Sequence, residues 1–183
     1  MSTSTKRFGM LIDLSLCIGC NACAVACKQE NGVPLTKFNT WVESWDVGTG
    51  EQARRANQPK LCNHCADAPC VKVCPTGASY RTEDGVVLVD SEKCIGCKYC
   101  MAVCPYQARV INEVTGTVDK CRLCAAELSA QGAPNCSCVS ACLTGCRMVG
   151  DLDNPDSDIA QAVVSLNART LTGDPRATIY YVR

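Results

Sequence analysis

One short stretch constrains the fold and chemistry of this chain more than any other. Residues 94–105 read CIGCKYCMAVCP, in which four cysteines are separated by two, two and three residues and are followed by Pro105. This spacing is typical of bacterial [4Fe–4S] binding, in which the first three thiolates hold one cluster and the fourth reaches a neighbouring one. Three closely spaced thiolates on a tight loop can cap three corners of a cube. The fourth lies on the following helical turn, which the proline ends, and points the other way.

Two other cysteine groups repeat this pattern nearer the N-terminus. The first has the same spacing but carries Lys28 where the third group has proline. The second has a gap of four residues between its second and third cysteines and is followed by Pro75. The cysteines of the first three groups are Cys17, Cys20, Cys23 and Cys27; Cys62, Cys65, Cys70 and Cys74; and Cys94, Cys97, Cys100 and Cys104.

A fourth group begins with Cys121 and Cys124 and then becomes ambiguous. Its candidates for the two remaining positions are Cys136, Cys138, Cys142 and Cys146. Cys138 and Cys142 reproduce the three-residue gap that ends the other groups, so we choose this pair. Cys136 and Cys146 are then left over, and Cys136 remains the alternative to Cys138. The choice leaves sixteen of the 18 cysteines as ligands, enough for four [4Fe–4S] clusters.

The composition favours bound metal as the main source of stability. Aromatic residues make up only 5% of the 183 residues, so an ordinary core would be thin. A disulfide scaffold or a structural zinc protein would also be cysteine-rich, but four close cysteines recur within short segments here, which favours clusters. Acidic and basic residues balance at 18 each, and nothing indicates a nucleic-acid or anionic-membrane surface.

Local patterns predict strands that lead into the cysteine groups. Residues 28–60 form a polar insertion in which Trp41 and Trp45 have helical spacing and are expected to serve packing rather than redox chemistry. Residues 147–183 contain no further motif apart from a turn and a last strand. The predicted strands are 8–16, 86–89, 106–114 and 177–182, and the predicted turns are 82–85 and 115–116.

With these motifs in view, the sequence resembles the four-cluster [4Fe–4S] electron-transfer (beta) subunits of the molybdopterin oxidoreductase family, such as dimethyl sulfoxide, polysulfide and tetrathionate reductases. The order of the groups and the four-residue gap in the second are more specific than any single pair of cysteines. The segments that carry the resemblance are Cys17–Cys20, Cys62–Cys65, Cys74–Ala78, Glu83–Gly85, Cys94–Tyr106 and Gly150–Asp153.

The expected fold is α+β, with two interleaved bacterial-ferredoxin-like 2[4Fe–4S] modules and long loops. The outer module would comprise residues 1–57 and 113–183, and the inner module residues 58–112. Departures lie in the fourth group, where the gap between Cys124 and Cys138 is longer than usual and Leu143 replaces proline.

The resemblance also implies which thiols share a cluster, and these sets are called quartets 1 to 4. Quartet 1 is Cys17, Cys20, Cys23 and Cys142; quartet 2 is Cys121, Cys124, Cys138 and Cys27; quartet 3 is Cys62, Cys65, Cys70 and Cys104; quartet 4 is Cys94, Cys97, Cys100 and Cys74.

The function implied is a relay of single electrons through four [4Fe–4S] clusters. Quartet 1 would lie nearest a large molybdopterin catalytic subunit, and quartet 4 nearest a quinone-linked membrane subunit or a soluble redox partner. No nucleophile–base pair stands out, so no catalytic residue is assigned and the chain is not expected to be an enzyme on its own. The alternatives are the small subunit of a non-redox pterin enzyme of the transhydroxylase type, or a polyferredoxin of a hydrogenase or formate system.

Four lysines adjoin ligands and could raise cluster potentials, or could equally be solvated side chains: Lys28, Lys72, Lys98 and Lys120. The single histidine, His64, is expected to support the site rather than to bind metal.

The sequence shows neither a signal peptide nor a membrane span. Clusters are assembled in a reducing compartment, and 18 thiols exported unfolded would form disulfides. We therefore expect that the chain folds first and is then exported to the outer face of the cytoplasmic membrane by a partner bearing a twin-arginine leader. The alternative is a cytoplasmic complex.

Overall fold

The computed structural model describes residues 6–124, 135–174 and 176–183. Within these ranges the chain forms nine strands, five α-helices and two short 3₁₀ turns, so helix and strand are mixed as in an α+β fold. The strands are β1 Phe8–Asp13, β2 Thr40–Val47, β3 Arg54–Leu61, β4 Ser79–Arg81, β5 Val87–Val89, β6 Val110–Ile111, β7 Val118–Asp119, β8 Arg147–Asp151 and β9 Ile179–Val182. The helices are α1 Ala22–Glu30, α2 Pro69–Lys72, α3 Tyr99–Ala102, α4 Ser137–Ser140 and α5 Asp158–Ser165.

The largest sheet joins the two ends of the chain. Its central strand β1 pairs antiparallel with β8 and parallel with β9. One face of β1 places Met10 and Ile12 in the main core, and the other places Leu11 against Ile159 of α5. Because both faces are covered, β1 is almost continuously apolar rather than alternating. The strand ends at Asp13, short of the predicted residue 16, because its carboxylate accepts the N–H of Ser15 and starts a 3₁₀ turn.

The predicted insertion contains a regular hairpin. Strands β2 and β3 pair over their full length, from Thr40 opposite Leu61 to Val47 opposite Arg54. The helical spacing of Trp41 and Trp45 is therefore misleading, since residues four apart also share one face of a strand. Trp41 packs against the main core, whereas Trp45 is exposed.

The remaining strand predictions had mixed outcomes. The hairpin β4–β5 confirms the strand at 86–89 and its turn, where Gly85 N donates to Thr82 O at 3.1 Å. β9 confirms the last predicted strand. The strand predicted at 106–114 is only the two residues of β6, because the residues before it form the turn that follows Cys104. Sequence reasoning missed β8 and α5, although Ser157 caps α5 by accepting the Ala160 N–H.

The four helices α1 to α4 place the cysteine groups. In each of them the second residue is a cysteine: Cys23, Cys70, Cys100 and Cys138. Helix α1 packs against α4, and α2 packs against α3. The hairpin β6–β7 crosses the predicted module boundary between residues 112 and 113.

Cysteine is the most frequent residue in the main core. Seven of the sixteen buried residues in this cluster of the described chain are cysteines. No helix within the described ranges is long and apolar enough to cross a bilayer. Residues 125–134, which make up most of the long gap after Cys124, lie outside the described residues, as do residues 1–5 at the N-terminus.

Candidate metal centres

The loop that carries the first two cysteines has the same backbone feature in all four groups. The residue just before the second cysteine has a positive φ, which lets the loop curl back within a few residues. Gly19 and Gly96 adopt this conformation at +72° and +66°. In the second and fourth groups the position is taken by His64 and Leu123, at +43° and +51°.

The chain also turns in a common way after the fourth cysteine. In the second, third and fourth groups the residue three positions later has a positive φ, and its N–H bonds to the carbonyl of that cysteine at 3.2–3.3 Å. These turn residues are Gly77, Gln107 and Gly145. The first group departs from the pattern, because α1 continues past Cys27 to Glu30.

Backbone N–H groups donate to several of the thiol sulfurs. Ser79 N lies 3.3 Å from Cys74 Sγ, and Val118 N lies 3.5 Å from Cys94 Sγ. Burial alone would raise the pKa of Cys74, but the hydrogen bond from Ser79 and others from its own turn outweigh burial and lower the pKa. Such bonds stabilise the thiolate, which is the form that binds iron.

Quartets 1 and 4 each line one cavity. The four thiols of quartet 1 surround a cavity that Cys146 and Arg147 also line. The four thiols of quartet 4 surround a second cavity, together with Arg109. The structure therefore brings together cysteines that lie more than a hundred residues apart in the case of quartet 1.

Quartets 2 and 3 are also brought together. Burial, together with the nearby Cys62, Cys70 and Cys104, raises the pKa of Cys65 to about 11. Burial raises the pKa of Cys27 to about 12, with contributions from Cys138 and Cys124. Cys121, the fourth member of quartet 2, lies beside Cys27 and Cys138. All four predicted sets are thus spatial neighbours, and their role as ligands remains a prediction.

The donor sets fit [4Fe–4S] clusters. Every cysteine is a free thiol, and the quartets offer sulfur alone. Nη1 of Arg109, which lines the quartet 4 cavity, is buried without a hydrogen-bond partner among the described residues, as expected beside a group rich in sulfur acceptors. Among the described residues, no group of three or more His, Cys, Asp or Glu side chains is arranged to hold a single metal ion.

The two left-over cysteines are buried next to the quartets. Cys136 precedes α4 and donates to Leu123 O at 3.5 Å; its hydrogen bond with Cys124 and its burial raise its pKa. Cys146 is buried beside Cys17 and Cys142, and burial raises its pKa. Cys138, in contrast, has the helix position of the third cysteine in the other groups. This position favours Cys138 over Cys136 as the ligand.

The quartets form a linear series with two accessible ends. Thiols of adjacent quartets are neighbours at three junctions, which pair Cys23 with Cys138, Cys121 with Cys62, and Cys70 with Cys100. The order is therefore 1, 2, 3, 4. In the described chain the exposed cysteines are Cys20 in quartet 1 and Cys97 in quartet 4, and quartets 2 and 3 contain none.

Of the four lysines that adjoin ligands, Lys28 and Lys72 bond to groups other than thiols, whereas Lys98 is exposed but lines the quartet 4 cavity. Lys28 donates to Pro34 O at 2.5 Å and Leu35 O at 3.2 Å, so it pins the loop after α1. Lys72 forms a surface ion pair with Asp67, and Lys98 starts α3 with a φ of +64°. Lys120 is fully buried.

Sequence reasoning also missed two buried arginines, Arg109 and Arg147. The signal that could have found them is their position, since each follows the fourth cysteine of its group by five residues. His64 is buried, and its Nδ1 accepts the Val87 N–H at 3.0 Å. Burial, with the charges of Lys120 and Arg109, holds its pKa well below the usual value, so the ring is neutral.

Taken together, four thiol quartets on an α+β frame of short helices and hairpins define an iron–sulfur protein of the ferredoxin type. Comparison with family models agrees: two models described as "4Fe-4S dicluster domain" match residues 54–152 and 16–78. The protein is a member of this 4Fe-4S dicluster family, and its relatives place it among the iron–sulfur subunits of the molybdopterin oxidoreductases, as the sequence resemblance implied.

Those relatives are subunits of sulfur-compound oxidoreductases. The chain is 46% identical over 156 residues to the B subunit of tetrathionate reductase from Salmonella typhimurium, an alignment that covers 84% of this chain and 62% of that protein. It is 40% identical over 178 residues to the B subunit of sulfite dehydrogenase from Allochromatium vinosum, covering 86% and 74%. It is 40% identical over 162 residues to the B subunit of polysulfide reductase from Wolinella succinogenes, covering 87% and 84%.

Proposed function

We propose that this protein is the electron-transfer subunit of an oxidoreductase complex and holds four [4Fe–4S] clusters, one in each quartet. When bound, each cluster supplies a site that accepts and returns one electron. The protein has no catalytic role of its own in this proposal. Its relatives are named as iron–sulfur or electron-transfer subunits, which supports this assignment.

The observation that carries the proposal is the order of the quartets together with the exposure of their ends. Neighbouring thiols link quartets 1, 2, 3 and 4 in series, and the exposed cysteines Cys20 and Cys97 belong to the two terminal quartets. A relay needs a buried interior and two accessible ends. This arrangement also supports the interleaved modules, because quartets 1 and 2 draw on both ends of the chain whereas quartets 3 and 4 use its middle.

The residues around each quartet have defined tasks. The thiols hold the metal, and backbone N–H groups such as those of Ser79 and Val118 donate to sulfur, which stabilises negative charge there. Buried side chains of the main core exclude water from quartets 2 and 3. The left-handed loop residues before the second cysteines set the direction of the thiols.

The family resemblance assigns one partner to each end of the series. We place a molybdopterin catalytic subunit against quartet 1, and a quinone-linked membrane subunit or a soluble redox protein against quartet 4. Three of the relatives are B subunits of enzymes that are named for tetrathionate, sulfite and polysulfide, which favours a sulfur compound as the substrate of the catalytic partner. Neither the transhydroxylase nor the polyferredoxin alternative is favoured by these relatives.

We further propose that the complex works on the outer face of the cytoplasmic membrane after folded export with its partner. The family resemblance favours this route, and the thiols require that any export be of the folded chain, because eighteen reduced thiols need cluster assembly before exposure to an oxidising compartment. A cytoplasmic complex is the alternative. Fractionation of cells that express the tagged chain, with and without a working twin-arginine pathway, separates the two.

The proposed function is tested on the full chain purified anaerobically with its partners. We expect about 16 iron atoms per chain with matching acid-labile sulfide. Substrate added to the complex, or a reduced quinone analogue if electrons flow the other way, should reduce the clusters only when the catalytic or acceptor subunit is present. Zinc in place of iron, or clusters that neither partner can reduce, would contradict the proposal.

A further inference from the structure

Three basic side chains are buried in the part of the chain that the structure describes: Arg109, Lys120 and Arg147, with exposed fractions of 4%, 1% and 3%. A charge removed from water requires an opposite charge or strong hydrogen bonds nearby. Yet none of the three forms an ion pair with a carboxylate among the described residues. Their anionic partners must therefore be sought among the thiols.

Arg109 lies at the junction of quartets 3 and 4. Its Nη2 donates to Cys70 Sγ at 2.8 Å and to Ser79 Oγ at 2.9 Å. Burial alone would lower the pKa of this guanidinium, but the charges of Cys70 and Cys100 outweigh burial and raise it. One guanidinium thus faces a thiol from each of two adjacent quartets.

Arg147 has the same relation to quartets 1 and 2. Its Nη2 donates to Thr40 Oγ1 at 2.9 Å, and its thiol neighbours are Cys138 of quartet 2 and Cys23 of quartet 1. Both arginines follow the fourth cysteine of a group by five residues, and each donates to a buried hydroxyl, although Arg147 also donates to Met10 Sδ. The internal repeat therefore builds the same cationic bridge twice.

Lys120 occupies the remaining junction, between quartets 2 and 3. Its Nζ donates to the carbonyl of Cys121 at 2.8 Å and to that of Val87. Burial lowers the pKa of Lys120, and the thiols of Cys62 in quartet 3 and Cys121 in quartet 2 act against burial by favouring its charged form. With this lysine, each of the three junctions in the series contains one buried basic side chain.

We infer that Arg147, Lys120 and Arg109 are shared counter-cations, each raising the reduction potentials of the two clusters on either side of it. The inference rests on the proposed function, because it requires a cluster in each quartet. A positive charge stabilises the state of a nearby cluster that carries one more electron. Because these charges are buried, salt screens them little. One cation therefore shifts two neighbouring potentials in the same direction and leaves the difference between them little changed.

The test removes one charge at a time from the full chain with its clusters assembled. Arg109→Gln should lower the potentials of clusters 3 and 4 together, and Arg147→Gln those of clusters 1 and 2. Lys120→Gln should lower those of clusters 2 and 3. Potentials are measured by redox titration followed by electron paramagnetic resonance, with signals assigned from variants that lack a ligand cysteine. The matched control is Lys72→Gln, since Lys72 lies two residues from Cys70 but is exposed and should move none of the four.

Two results would overturn the inference. In the first, an iron-replete Gln variant keeps both wild-type potentials; in the second, only one of the two potentials shifts. If Arg109→Gln or Arg147→Gln fails to retain iron, the matching Arg→Lys variant decides. If the positive charge is what matters, the Arg→Lys variant restores the iron content and both potentials. If the Arg→Lys variant restores neither, the arginine acts through its shape alone and the inference is overturned. A wild-type chain without [4Fe–4S] iron would instead refute the proposed function.

Discussion

At the scale of single residues, the position of a cysteine on its helix separates a ligand from a core side chain. Cys136 and Cys138 are both buried and lie two residues apart. Only Cys138 is the second residue of a helix, the position that Cys23, Cys70 and Cys100 share in their groups. Cys136 lies just before its helix, where it donates to the carbonyl of Leu123 and forms a hydrogen bond with Cys124. Its position therefore favours a core side chain over a ligand.

Alanine at each of the two positions tests this distinction. Cys138→Ala should remove one cluster and lower the iron content from about 16 to about 12 atoms per chain, since each cubane contributes four. Cys136→Ala should keep all the iron and lower stability by about 1–2 kcal/mol, as expected when a small buried side chain is shortened. Iron and acid-labile sulfide analysis of anaerobic preparations measures both. Iron loss in the Cys136 variant alone would reverse the assignment.

Among the residues of the site, the sequence predicted the cysteines better than the charged side chains around them. The spacing of the cysteines predicted the twelve ligands of the first three groups directly and left a choice between Cys138 and Cys136 in the fourth, because local geometry around a cube fixes the intervals between ligands. The buried arginines at 109 and 147 escaped notice, because basic residues are normally exposed and their burial depends on thiols distant in the chain. Lys120 was noticed for its position beside Cys121, but its sequence neighbours resemble those of Lys28, Lys72 and Lys98, none of which is buried.

At the scale of elements, one loop contact explains how the third group is held. A Cβ on Gly96 would come within 2.4 Å of the carbonyl oxygen of Gly116, in the turn between β6 and β7. The loop and the turn therefore touch through their backbones. In the same hairpin the Val118 N–H donates to Cys94 Sγ, so the hairpin both packs against the loop and bonds to a predicted ligand.

We expect Gly96→Ala to displace this loop and lose the cluster of quartet 4, because the new methyl group meets backbone that cannot yield. Gly116→Ala is the matched control, since its φ is also positive, at +71°, but a Cβ there meets nothing within 4 Å. The control should carry only backbone strain of about 1 kcal/mol and retain its iron. Iron analysis and the electron paramagnetic resonance spectrum distinguish the two, and equal iron loss in both would show that strain, not contact, is responsible.

Elements were predicted well where the pattern was local and poorly where it was not. The strand at 8–13 and the turn at 82–85 follow from apolar runs and turn residues. The hairpin of β2 and β3 was not foreseen because β3 is rich in polar residues and neither strand shows the alternation of apolar and polar residues that marks a half-buried strand. Strand β8 follows a cysteine group directly and is defined by its pairing with β1, about 140 residues away, rather than by its own residues.

At the scale of the whole molecule, the two ends of the quartet series share one loop sequence but differ in the residues around it. Each end presents a Cys-Ile-Gly-Cys loop whose isoleucine is exposed: Ile18 at 62% beside quartet 1 and Ile95 at 68% beside quartet 4. The surroundings of the two loops differ. Leu16 and Leu143 are exposed in the segments that adjoin the thiols of quartet 1, whereas Tyr99 is exposed one residue before Cys100 of quartet 4. An exposed apolar residue next to an accessible cluster is suited to a protein interface.

A charge at each isoleucine should therefore separate the two partners. We expect Ile18→Glu to weaken binding of the catalytic subunit by at least about tenfold, as for a residue central to an interface, while iron content stays unchanged. Ile95→Glu should leave that affinity intact and slow electron exchange with the quinone-linked or soluble acceptor. Copurification and titration of the catalytic subunit measure the first effect, and the rate of cluster oxidation by the acceptor measures the second. The reverse pattern would interchange the two ends of the relay, and normal behaviour of both variants would show that neither loop is an electron port.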